Sequence, residues 1–89
     1  MSETIGELID KLCITELKLW HVQEQVYRYQ RMSLEEYALV SAAETKRTWD
    51  RLAQLNLDRS RLITETDVAI NEAIRTGQAR VDPRVKLTE

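Results

Sequence analysis

From the fifth residue onward, apolar residues recur every three or four positions, the spacing that places them on one side of an α-helix. The pattern predicts a first helix over about residues 5–31. It opens with Thr4-Ile5-Gly6-Glu7, in which Thr4 can accept from the backbone amide of Glu7 while the Glu7 side chain reaches back. A second helix is predicted over about residues 34–76. It opens with the same device, Ser33-Leu34-Glu35-Glu36, and ends at Thr76-Gly77, where glycine suits a helix C-terminus. Only Arg31-Met32 separates the first helix from the second box, so a tight corner and two antiparallel neighbours are expected. The second helix would run roughly 60 Å at 1.5 Å per residue, with a weaker point near Asn56-Leu57-Asp58.

The two helices differ in how they distribute apolar surface. On the first, Ile5, Leu8, Ile9, Leu12, Cys13, Leu19, Trp20, Val22, Val26, Tyr27 and Tyr29 fill an arc of about 200° at 100° per residue. One packed neighbour covers roughly 100° or a little more. The surplus predicts a second chain, and with it a dimeric four-helix bundle. Trp20, Tyr27, Tyr29 and Trp49 are accordingly expected in the core or at a subunit contact, and Cys13 is expected to pack in the apolar band.

On the second helix the apolar stripe is interrupted by Asn56, Arg59 and Asp67. Buried charges need partners. Counting outward from a corner at Met32-Ser33 sets Asp10 level with about residue 55 and predicts a buried polar network of Asp10, Asn56, Arg59 and Asp67. The same count sets Trp20 near Thr45 and Trp49. It leaves the second helix roughly ten residues longer than its partner, so that Asp67 and Ile70 overhang.

Away from the apolar band, Asp10, Lys11, Ile14, Lys18 and His21 share an arc with Glu7, Gln25 and Arg28. The plain reading is a solvated face of weak ion pairs. The sharper one is a recognition patch for a protein or for a polar or anionic ligand.

Composition narrows these readings. In 89 residues there are 13 basic and 15 acidic side chains, a net charge of −2, which argues against a general nucleic-acid binder. Two glycines and one proline leave little material for turns. One cysteine excludes an internal disulfide, and one histidine excludes a multi-histidine metal site. No cofactor is implied. The absence of a leader or a long apolar run predicts a soluble cytoplasmic protein with no membrane partner. Residues 1–77 form one helical domain in this reading, and residues 78–89, with Pro83, form a tail.

The stretch Ile9-Asp10-Lys11-Leu12-x-Ile14-x-x-Leu17-Lys18-x-Trp20-His21 resembles the opening motif of an uncharacterised bacterial all-helical family found near sugar-transferring and envelope-polysaccharide enzymes. Leu55-Asn56-x-x-Arg59-x-x-Leu62-Ile63-x-x-x-Asp67 is similar to a second segment of that family, although Thr66 stands where isoleucine is usual. The resemblance covers about half of the chain. It implies a helical bundle, brings no established activity, and points to the same polar residues as the helical pattern.

Enzymatic readings are weak. The Glu-Glu-x-x-Glu set that holds magnesium in all-α pyrophosphohydrolases is broken, because Leu39 follows Glu35-Glu36. Ile9-Asp10 is similar to a pattern of small helical chorismate mutases, but the arginines that grip a dicarboxylate are not matched at the start of the first helix. The favoured expectation is a non-enzymatic interaction module that self-associates and binds another protein. The alternative is a small-molecule or sugar-phosphate binder using Lys18, His21 and Arg59.

Overall fold

A computed structural model describes residues 3–77, and the expected tail at residues 78–89 lies outside them. The chain is an all-α antiparallel hairpin. Helix α1 spans Ile5–Arg31, the short α2 spans Leu34–Ala38, and α3 spans Ala42–Thr76. Thr4 caps α1 with the reciprocal pair to Glu7, and Ser33 caps α2 with the same pair to Glu36. Gly77 closes α3 in the left-handed region at φ 70°, and its N–H donates to the Ala73 carbonyl at 2.8 Å. That conformation favours glycine because it carries no Cβ.

The predicted second helix is in fact two. After Leu39 and Val40 the chain becomes extended at Ser41 (φ −64°, ψ 146°), whose hydroxyl accepts from the Glu44 amide at 3.1 Å and starts α3 afresh. The corner therefore occupies residues 32–41. α3 continues unbroken through Asn56-Leu57-Asp58.

The displaced corner resets the pairing of the long helices. Tyr29 meets Thr48 through their hydroxyls at 3.3 Å, and Glu16 forms an ion pair with Arg59. Both pairings centre on about Ala38 rather than on Met32-Ser33. Because the helices are antiparallel, moving the corner by about five residues shifts partners by about ten. Asp10 is thus level with about Thr66, not with Leu55. Ile5 is level with about Asn71, so the overhang of α3 shrinks to its last turn.

In α1 the packed seam is Leu8, Leu12, Thr15, Leu19, Val22, Val26 and Tyr29, alternating steps of four and three. Thr48, Leu52, Leu55, Arg59, Leu62, Thr66 and Ala69 follow the same seven-residue pattern in α3, the spacing of an antiparallel coiled coil, with the Arg59 side chain reaching out of the seam to Glu16. One buried cluster joins Leu8, Leu62 and Ala69, with Ile5 and Leu12 against it. A second joins Leu19, Val22 and Leu55, with Leu52 against it. Thr15 and Thr66 are buried in the seam, and each hydroxyl donates to the carbonyl four residues earlier, Lys11 at 2.9 Å and Leu62 at 2.7 Å. Those internal bonds let a polar side chain occupy an apolar position without an unmet donor. Tyr29 closes the corner end, edge-on to Tyr37 of α2 at 5.5 Å between ring centres.

Candidate interaction surface

Beside the packed seam of α1 runs a second one, shifted by one residue: Ile9, Cys13, Glu16, Trp20, Gln23 and Tyr27. Helix α3 has a matching flank in Trp49, Ala53, Asn56, Ser60, Ile63, Asp67 and Ile70. Each flank lies about 100° past its packed seam in the direction of increasing residue number. In antiparallel helices that offset brings both flanks out on the same side of the hairpin. A shallow open groove on that side confirms the placement, since Glu16, Trp20 and Gln23 of α1 line it together with Asn56 and Arg59 of α3.

This side is open and carries large apolar residues among polar ones. Trp20 is 57% exposed, Tyr27 51% and Trp49 47%. Ile9 and Ile70 are also exposed, as is Cys13, which does not pack in the interior of the single chain. The expected core aromatics therefore divide. Tyr29 is buried within the hairpin, while Trp20, Tyr27 and Trp49 face outward. Trp20 borders Asn56 and Arg59 rather than Thr45 and Trp49.

The expected buried polar network is not formed. Asp10, Asn56, Arg59 and Asp67 are all exposed. Arg59 reaches Glu16, a residue that the misplaced corner had left far from it, and Asp10 lies on the far side of α1. Both members of the Glu16–Arg59 pair keep close to half of their side-chain surface. They stand midway along the apolar side.

The opposite side is polar. Lys11 bonds Glu3 at 2.6 Å, and this hydrogen bond raises the Lys11 pKa above its ordinary 10.5, with the Glu7 charge adding to the effect. Lys18 and Asp10 are exposed, and Ile14 stands among them as an exposed aliphatic group. His21 is exposed and edge-on to Trp20 at 5.6 Å. The facing stretch of α3 carries its own exposed pairs, including Arg61 with Glu65 at 3.3 Å and Gln54 with Asp58 at 3.0 Å. Lys18 and His21 do not converge with Arg59, which points into the groove on the apolar side. The three-residue ligand cluster is therefore not assembled.

No group of three or more histidine, cysteine, aspartate or glutamate side chains among the described residues is placed to hold a metal ion. None of the described helices is long and apolar enough to cross a membrane. No protein-family model, curated protein or solved structure matches the chain, so its resemblance to the uncharacterised bacterial family rests on the two quoted motifs.

Proposed function

We propose that this chain is a non-enzymatic helical interaction module. It associates with itself through the side that carries Trp20, Tyr27 and Trp49, and offers the side with Asp10, Lys11, Ile14, Lys18 and His21 to another protein. The observation that carries this reading is the second seven-residue seam, present on both helices and facing the same way. Single exposed apolar residues are ordinary on a protein surface. Exposed apolar residues recurring at heptad spacing on both helices, with a tryptophan on each and polar residues between them, mark a contact surface. The hairpin alone has a thin core, with seven hydrophobic residues buried among those described, and small domains of this kind gain stability by association. The likeness to the bacterial family adds a helical-bundle precedent and no activity.

The lone thiol reports on this reading. Cys13 lies on the apolar side and is exposed in the single hairpin. Its rate of reaction with a thiol reagent should fall as protein concentration rises, because association covers it. A rate independent of concentration from nanomolar to millimolar would count against self-association through this side.

A further inference from the structure

Midway along the apolar side stands a charged pair, with Asp67 of the α3 flank further towards the open end, and the placement of the pair tells how a second copy would seat. Glu16 belongs to α1 and Arg59 to α3, at the same level along the rod and on the same side. A contact between two identical surfaces must be self-complementary. A two-fold axis parallel to the helices keeps every residue at its level and exchanges left for right. It lays α1 of one copy beside α3 of the other, so all four neighbouring helix pairs run antiparallel. Glu16 then meets Arg59 of the second copy as well as its own.

Resting on the self-association proposed above, we infer that the occupant of the apolar side is a second copy of this chain, held in register by a ring of alternating charge made from Glu16 and Arg59 of both copies. The apolar residues fit the same operation. Tyr27 is level with Trp49 and Cys13 with Ile63, pairing aromatic with aromatic and small with large, while Trp20 is level with Asn56 and Ile9 with Asp67. A two-fold axis perpendicular to the rod and centred on this pair instead sets Glu16 on Glu16 and Arg59 on Arg59. A charged pair in a partly apolar contact adds little affinity against an apolar replacement, but it penalises every slipped register in which a charge loses its partner.

Charge reversal tests the ring. Glu16→Arg makes all four positions basic, and Arg59→Glu makes all four acidic. Both residues are exposed in the hairpin, so each variant should keep the helical circular dichroism of the parent. Each alone should self-associate more weakly by on the order of a hundredfold. An equimolar mixture should recover a dimer, now of one basic and one acidic hairpin, and the double variant Glu16→Arg/Arg59→Glu should dimerise like the parent. Single variants that dimerise as tightly as the parent would overturn the inference. So would weakened single variants that fail to recover on mixing. A parent chain that is monomeric throughout would instead overturn the self-association on which the ring depends.

Discussion

Leu8 offers the clearest test of the packing. Only 1% of its surface is exposed, and it is enclosed by Ile5, Leu12, Leu62 and Ala69. Leu8→Ala removes buried methyl and methylene groups and leaves a space between two helices. Buried leucine-to-alanine changes cost about 2–5 kcal/mol, the lower values occurring where the surroundings can collapse. Leu8 lies near the open end of a two-helix seam, where collapse is easiest, so about 2–3 kcal/mol is expected. For a domain of 60–100 residues, 1 kcal/mol moves the melting temperature by about 4–8 °C. Loss of helical circular dichroism should therefore move down by about 10–20 °C. Leu34→Ala is the control. It is the same chemical change at a residue that is 89% exposed, and it should cost no more than about 0.5 kcal/mol. Both proteins are melted at one concentration, because association would couple stability to concentration. Equal shifts for the two variants would refute the placement of the core.

Other perturbations probe the corner and the corrected register. Asp10→Ala should change stability by less than about 0.5 kcal/mol, because its carboxylate is exposed. A loss of several kcal/mol in a urea titration would revive a buried Asp10 pair and the earlier corner. Ser41→Ala should cost about 1 kcal/mol, because it removes the acceptor for the Glu44 amide at the start of α3. An unchanged urea midpoint would show that Ser41 does not hold that helix end. Backbone hydrogen bonding at Ser33 holds the Glu36 carboxyl below its ordinary 4.5, so its contribution is present above the unfolded value and fades as pH falls through the lowered folded value. A carbon-13 titration should place the Glu36 midpoint below 4.5 and return it only part of the way in Ser33→Ala, which removes the hydroxyl and keeps the backbone donor, whereas an ordinary midpoint in the parent would refute the cap.

What was legible in the sequence and what was not divide along physical lines. Local signals were readable, because the caps at Thr4 and Ser33 and the stop at Gly77 depend on residues within a turn of one another. The two-helix hairpin followed from periodicity. The break before α3 was also written, as Ser41-Ala42-Ala43-Glu44, but it stood inside a stripe whose helical period ran on across it. That start moves the corner towards Ala38. An antiparallel hairpin doubles the displacement, which takes Arg59 from the level of Asp10 to that of Glu16. Counting outward from the corner is a sound way to pair the helices, but the corner lies nearer Ala38 than Met32-Ser33. The breadth of the apolar arc on α1 survived intact, because it depends on one helix alone. Its surplus half is the flank that carries Ile9, Cys13, Trp20 and Tyr27.

That surplus holds the central claim, that the apolar side of the hairpin is covered by a second copy. The most direct measurement is the mass of the pure protein in solution, by light scattering over a dilution series. The expected result is twice the 10.4 kDa of one chain, falling towards 10.4 kDa on dilution. A mass of 10.4 kDa at every concentration up to the millimolar range would contradict the claim.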